Sequence, residues 1–172
     1  MIPSIETDRL RLRGHRQDDF PLSAAMWADS DVTRYIGGRP FSEEESWARF
    51  LRYAGHWKFL GFGYWAIEER ATGRFLGEVG FADFKRQIEP SIEGIPELGW
   101  VLVPSARGSG FATEAARAAL DWCNVYLRVA RTVCLIHPEN AASVRVAEKC
   151  GFREYCRTVY KGQSTVIFDR RL

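Results

Sequence analysis

Hydrophobic and polar positions recur along this chain with two periods, and the switches between them mark its elements. Residues 7–13 (TDRLRLR) alternate Leu10 and Leu12 with Arg9, Arg11 and Arg13, which predicts a half-buried strand. Asp18 or Asp19 stands where a side chain caps a helix carrying Phe20, Leu22 and Met26. Residues 29–40, with Gly37, Gly38 and Pro40, read as loop. Ser42 followed by Glu45 is a capping box, and Trp47, Phe50, Leu51 and Ala54 predict the apolar stripe of a helix ending near Trp57. Residues 62–69 and 74–83 then form a hairpin across Ala71-Thr72-Gly73, and 86–96, with two prolines, is a loop.

Residues 97–103 (ELGWVLV) predict a central strand, with Leu98, Trp100 and Leu102 on one face and Val101 and Val103 on the other; Pro104 ends it. After a glycine-bearing turn, Ala115, Ala116, Ala119, Leu120, Cys123, Tyr126 and Leu127 mark a helix from Ala112 to about Leu127. Residues 132–136 (TVCLI) are a short buried strand. Asn140 caps a helix over 140–150 with Ala142, Val146, Ala147 and Cys150 on its apolar face; Gly151 is its left-handed stop, and Phe152 is placed to touch Ala147. Strands at 153–160 and 165–170 meet at Gly162. The expected order is β-α-α-β-β-β-α-β-α-β-β.

Composition narrows the class. The 172 residues fit one domain spanning 1–172, with 46% hydrophobic and 27% charged residues, as in globular proteins. A net charge of +2 gives no reason to expect nucleic acid as a partner. No apolar run approaches membrane-spanning length and no signal-peptide core opens the chain, so a cytoplasmic protein is expected, without membrane partner. Cys123, Cys134, Cys150 and Cys156 form no C-x-x-C pair; they read as reduced core thiols, with no metal role.

The chemistry concentrates between the central strand and its helix. A helix N-terminus presents backbone N–H groups without intrahelical partners and carries roughly +0.5 charge. Gly108 and Gly110 let an anion approach the main chain, and Arg107 adds a charge at the rim. A helix entered through a flexible turn would look similar, so the identity of the motif matters. A P-loop requires Gly-Lys-Ser/Thr, and no lysine follows Gly110. A dinucleotide fingerprint requires a last glycine where this chain has Thr113.

Arg107, Gly110 and Ala112 do fill Q/R-x-x-G-x-G/A, the pyrophosphate motif of the GNAT N-acetyltransferases. The chain resembles that superfamily, and within it the Rim-type enzymes that act on ribosomal-protein N-termini. The resemblance rests on TDRLRLR (7–13), GSGFATEA (108–115) and NAASVRVAEKCGF (140–152), in the family's order and spanning nearly the whole chain. It implies an α/β (α+β) acyl-CoA N-acyltransferase fold with a central mixed, mostly antiparallel sheet. It implies acetyl-CoA as co-substrate and an amine acceptor, a peptide N-terminus or a small molecule. The alternative on the same fold is a non-catalytic acyl-CoA-binding module. The resemblance leaves monomer and homodimer open.

Residue by residue, the resemblance sets coenzyme pyrophosphate over Arg107, Gly108, Ser109, Gly110, Phe111, Ala112 and Thr113. It runs the pantetheine arm along Val101, Leu102 and Val103, where this strand splays from 132–136. Asn140 would hydrogen-bond pantetheine, and Ser143 would donate a proton near the sulfur; both also serve as helix-capping positions. The family's usual tyrosine acid has no counterpart at the matching place. An amine must be neutral to attack: at pH 7.4 roughly a third of α-amines but about one lysine in a thousand are neutral. A general base, worth ~10²–10⁴-fold, therefore matters most for lysine-like acceptors. Glu97 on the central strand is the first candidate and Glu78 the second, with the backbone N–H of Val101 or Leu102 as oxyanion donor. Trp27, Tyr35, Tyr64 and Trp65 are candidates to line the acceptor cleft or to fill the core.

Overall fold

A computed structural model describes residues 1–171. In chain order the elements are β1 (Ile5–Glu6), β2 (Leu10–Arg13), α1 (Phe20–Trp27), α2 (Ser30–Thr33), α3 (Glu43–Leu60), β3 (Tyr64–Glu69), β4 (Phe75–Ala82), β5 (Glu97–Leu102), α4 (Phe111–Tyr126), β6 (Arg131–Ile136), α5 (Ala141–Lys149), β7 (Arg153–Tyr160) and β8 (Gln163–Arg171). The strands form one sheet in the order β1-β2-β3-β4-β5-β6-β8-β7. Every neighbouring pair is antiparallel except β5 and β6. The expected mixed, mostly antiparallel sheet is therefore present.

Both faces of the sheet are covered, so β4 is buried along its whole length. On one face α4 lays Phe111, Ala115, Ala116, Ala119, Leu120 and Cys123 against Leu10, Leu12, Trp65, Leu98 and Leu102. On the other, Met26, Trp27 and Val32 pack on Ala66, Phe75 and Val101. Glu97, Gly99 and Val101 share the second face, because strand side chains alternate.

Several local expectations hold. Ser42 and Glu45 form the reciprocal capping box at the start of α3 (3.1 and 2.8 Å). Asn140 Oδ1 accepts from the Ser143 N–H (3.1 Å). At the end of α5 the Phe152 N–H donates to the Ala147 carbonyl and that of Gly151, at φ 86°, to Glu148, which closes a Schellman motif.

Others are corrected. Residues 7–13 are not one strand: the Thr7 hydroxyl and N–H both bond to Leu10, turning the chain so that β1 and β2 pair as a hairpin. Neither Asp18 nor Asp19 caps α1 with its side chain; Asp19 accepts two bonds from Arg13 (2.7 and 2.8 Å) and one from the Arg16 N–H (2.7 Å). Arg13, on what the alternation makes a polar face, is buried between Asp19 and Glu68. The 29–40 loop contains α2, capped by Asp29. Helix α3 runs on to Leu60, and its buried stripe is Ser46, Phe50, Tyr53 and His56, whereas Trp47, Leu51 and Ala54 are exposed. Ala142 is exposed and Val144 half-buried on α5; Tyr126 is exposed on α4.

Glu78 on β4 is fully enclosed. It accepts hydrogen bonds from Ser23 (2.6 Å), Tyr53 (2.5 Å) and the Trp27 indole (3.1 Å), with His15 Nε2 at 3.5 Å. Burial pushes its pKa up, but the His15, Ser23 and Tyr53 contacts outweigh that and hold it below the ordinary carboxylate value. A folded pKa below the unfolded one contributes stability that is present above about pH 4.3 and lost as pH falls through the folded value. Melting temperature should therefore drop on acidification below about pH 4. Glu78→Gln should flatten that limb and cost about 1–3 kcal/mol at neutral pH, because one buried donor loses its acceptor; an unchanged acid limb would assign it to other carboxylates.

All four cysteines are free; Cys123, Cys134 and Cys150 are buried and Cys156 half-buried. Burial pushes the Cys123 thiol up to about 11 and raises those of Cys134 and Cys150 as well. Since the thiolate is the reactive form, a thiol reagent should modify Cys156 first in the native protein. All four should react after denaturation without reductant; fewer would reveal a disulfide.

Candidate functional site

The one parallel junction creates the cleft. β5 and β6 pair only where Glu97 meets Val133, with the Val133 N–H donating to the Pro96 carbonyl (3.1 Å). Beyond that point the strands diverge. On the other edge of β5 the Val103 N–H donates to the Leu76 carbonyl (2.9 Å). Antiparallel alternation then commits the main-chain groups of residues 97, 99 and 101 to β4 and turns those of Leu98, Trp100 and Leu102 toward β6. Leu98 is beside the closed junction, so Trp100 and Leu102 are the residues whose main-chain groups face the opening. Of the two oxyanion-donor candidates, Leu102 points into the V and Val101 is committed to the ladder.

The V opens into a cleft of about 720 Å³, solvent at its mouth included. β5 contributes residues 97–101 and β6 and its continuation Cys134, Leu135, Ile136 and His137. Trp27, Tyr35 and Ile36 close it from the α1–α2 side, Arg49 comes from α3, and Asn140 and Ser143 from α5. Glu97, Val101, Asn140 and Ser143, all singled out in the sequence, therefore meet around one space. Asn140 Oδ1 is occupied by its cap, so its amide N–H groups are what remains for a ligand.

Glu97 does not stand free. Arg86 donates to both of its carboxylate oxygens (2.6 and 2.7 Å). A carboxylate has about four lone-pair positions, so two remain for a water or an amine. Burial opposes the charge on Arg86, but its bonds to Glu97 outweigh this and raise its pKa. Glu78, the second candidate base, lies outside the cleft with its oxygens already engaged by buried donors. Trp65 also belongs elsewhere: it is buried in the α4-side core, with its indole N–H on the Pro3 carbonyl (2.8 Å).

Tyr64 takes a position that its spacing did not reveal. Tyr64, Gly80 and Gly99 lie in one row across β3, β4 and β5. A Cβ on Gly99 would overlap the Tyr64 hydroxyl, so this glycine is what lets the phenol reach the central strand. Tyr64 stacks on Tyr53 at 5.0 Å. Burial, then the charge of Glu97, raise the Tyr64 pKa, so the hydroxyl is protonated and able to donate at neutral pH. A glycine inside each of two adjacent strands was the available signal for this close approach.

At the far end of β5 the turn into α4 is shaped for an anion. Gly108 and Gly110 both have φ of 80°, and nothing lies within 4 Å of a Cβ built on Gly108. The first intrahelical bond runs from the Glu114 N–H to the Gly110 carbonyl (3.1 Å), and no side chain caps the helix. The N–H groups of Phe111, Ala112 and Thr113 thus lack intrahelical partners. The Phe111 side chain is buried, which leaves its main chain as the part facing the turn. Arg107 and Ser109 are exposed. Arg9 braces the turn from behind: it donates to the Ser109 carbonyl (2.9 Å) and to Glu114 (2.7 Å) and lies 4.5 Å from the Phe111 ring centre. These features fit a phosphate-bearing ligand carried on backbone amides. Among the described residues no group of three or more His, Cys, Asp or Glu side chains is arranged for a metal ion, and no helix is long and apolar enough to cross a membrane.

Comparison with known proteins identifies this architecture. Residues 9–153 match the acetyltransferase (GNAT) domain. The chain belongs to the GNAT acetyltransferases. It is 33% identical over 168 residues to the uncharacterized protein YkkB of Bacillus subtilis, covering 96% of this chain and 94% of that one. Among solved structures, a putative GNAT-family acetyltransferase from Bordetella pertussis superposes with a TM-score of 0.86 at 28% identity, over 98% of this chain and 99% of that one. RimL, a ribosomal L7/L12 α-N-protein acetyltransferase solved with coenzyme A, shares the fold at 15% identity (TM-score 0.79; 99% and 98% covered). This GNAT chain is accordingly an acetyl-CoA-dependent acetyltransferase.

Proposed function

We propose that the protein transfers the acetyl group of acetyl-CoA to a primary amine, a peptide N-terminus or a small molecule, by direct attack within a ternary complex. The presence of Glu97, Tyr64 and Ser143 in the lining of one cleft at the β5–β6 opening carries this reading. The co-substrate supplies an activated acyl group. Backbone N–H groups of Gly108, Ser109, Gly110, Phe111, Ala112 and Thr113, with Arg107 at the rim, hold its pyrophosphate. Main-chain groups of Trp100 and Leu102, flanked by Val101 and Val103, hold the pantetheine arm, and the Asn140 amide donates to it.

On the acceptor side, Glu97 accepts the amine proton, directly or through one water, on a lone pair not used by Arg86. Arg86 fixes the carboxylate, which would otherwise rotate away. The Leu102 N–H and the Tyr64 hydroxyl are donors toward the oxygen that gains charge, and Ser143 gives a proton to the departing sulfur. RimL acts on a protein N-terminus; likeness at 15% identity carries the fold and leaves the acceptor of this chain to its own cleft. Thiol release from acetyl-CoA, followed across α-amine peptides, lysine-like amines and amino acids, tests the reading: turnover that requires an amine supports it, and hydrolysis at the same rate with and without amine overturns it.

A further inference from the structure

At the acceptor end of the cleft one guanidinium has no carboxylate partner among the described residues. Glu97 is matched by Arg86. Glu78 accepts from Ser23, Tyr53 and the Trp27 indole with His15 Nε2 at 3.5 Å, and Asp83 accepts from Lys85 (2.7 Å). Arg49, in the middle of α3, lines the same cleft as Trp27 and Tyr64, and among the described residues it forms no ion pair. Its Nε is buried without a hydrogen-bond partner. The guanidinium lies 3.9 Å from the Trp27 ring centre and 5.3 Å from that of Phe41. Those rings orient the group and offset part of its charge, but they take up none of its five N–H donors in the plane of the fork. Arg52 is crowded by the same charge: burial first, then Arg49, lower its pKa, and Arg86 adds to this.

A half-buried guanidinium packed over aromatic side chains and lining a cleft, with no hydrogen-bond partner among the described residues, is matched to a planar anion with two acceptor oxygens. The coenzyme's phosphates belong at the other end, over residues 107–113, so that anion belongs to the acceptor. We propose that Arg49 binds a carboxylate of the acceptor, and that the acceptor is a small amino carboxylate, an amino acid or a derivative with its carboxylate free. Its amine faces Glu97 and Tyr64 while its carboxylate rests on Arg49. This inference rests on the amine-acceptor reading above and narrows it to one substrate class.

The test uses matched pairs: glycine, methionine, phenylalanine and lysine, each against its carboxamide, in the thiol-release assay with the intact enzyme. Amidation lowers the α-amine pKa and enlarges the neutral fraction, which by itself favours the amide. A kcat/KM at least about tenfold higher for the acid in one or more pairs is expected in spite of that, the size of one charge-assisted hydrogen-bond pair. Arg49→Gln should erase the preference and leave the amide's kcat/KM and the KM for acetyl-CoA within about twofold; Arg49→Lys, which keeps charge but loses the fork, should retain part of it. Thermal melts confirm that both variants fold. A second readout needs no turnover: calorimetry of the N-acetyl amino acids and their amides with the coenzyme A complex should show the same preference in the wild type and its loss in Arg49→Gln. Equal kcat/KM for acid and amide throughout the panel would overturn the inference while leaving amine acetylation intact. An equal fall for both members of a pair in Arg49→Gln would make Arg49 a general electrostatic group and overturn it too. If no amine is acetylated, the amine-acceptor reading fails, and the calorimetric preference alone decides whether Arg49 binds carboxylates.

Discussion

Glu97→Gln should lower kcat by ~10²-fold or more with a lysine-like acceptor and much less with a weakly basic amine, because only the first arrives almost wholly protonated. KM for acetyl-CoA should hardly move, since the carboxylate is at the closed end of β5 and the turn proposed to hold the pyrophosphate is beyond its open end. The acidic limb of the kcat/KM profile should change shape. The Arg86 pair adds a control that the sequence did not demand. Glutamine can accept one of the two guanidinium bonds (2.6 and 2.7 Å in the wild type) and turns its own N–H₂ toward the other. A stability loss of about 1–3 kcal/mol is therefore expected, and kinetics must be read below the melting transition. An equal, modest loss with every acceptor would make Glu97 the anchor of Arg86 and leave deprotonation to solvent.

Gly110→Glu should weaken acetyl-CoA binding at least tenfold, about 1.4 kcal/mol, with isothermal calorimetry as the measurement. Two physical effects combine. The new carboxylate enters the field of unpaired N–H groups at the start of α4 and competes with the pyrophosphate for them. The residue also sits at φ 80°, where a side chain is strained by roughly 1–2 kcal/mol. Gly110→Ala separates the two, since it carries the strain and no charge: most of the affinity should survive in it. The Cβ itself has room, its nearest neighbour being an Arg9 nitrogen at 3.4 Å. Unchanged affinity in Gly110→Glu would remove the pyrophosphate from this turn.

Features set by neighbours along the chain are legible in the sequence. The capping box at Ser42, the Asn140 cap, the Gly151 stop and the glycine turn that leads into α4 involve groups a few residues apart, so local stereochemistry alone specifies them. Strand and helix periods likewise locate the sheet and α4. What the periods mispredict is faces. On α3 the stripe of large apolar residues, Trp47 and Leu51, is the exposed one, whereas Ser46 and His56 are inside. Size and hydropathy rank residues for burial, but the face a helix buries is chosen by the surface it meets, here the side of the sheet where Tyr53 of α3 donates to Glu78; Ser46 and His56 are carried inside with it, Ser46 Oγ and His56 Nδ1 without a hydrogen-bond partner among the described residues. Arg13 makes the same point: its partners Asp19 and Glu68 arrive from a turn and from another strand.

The chain by itself determined the order of elements from α3 onward, the glycine-bearing turn at residues 107–113 and the placing of Asn140 and Ser143 at one helix start, because each depends on contiguous residues. Tertiary structure alone decided that β5 and β6 part after Glu97, that Glu78 is sealed while Glu97 is in the cleft, that Gly99 admits the Tyr64 hydroxyl, and that Arg49 reaches the cleft with no ion-pair partner among the described residues. Each of those depends on groups tens of residues apart whose distance is set by packing. An ionisable side chain has one meaning when a partner lies within hydrogen-bonding reach and another when none does, and no spacing along the sequence records which.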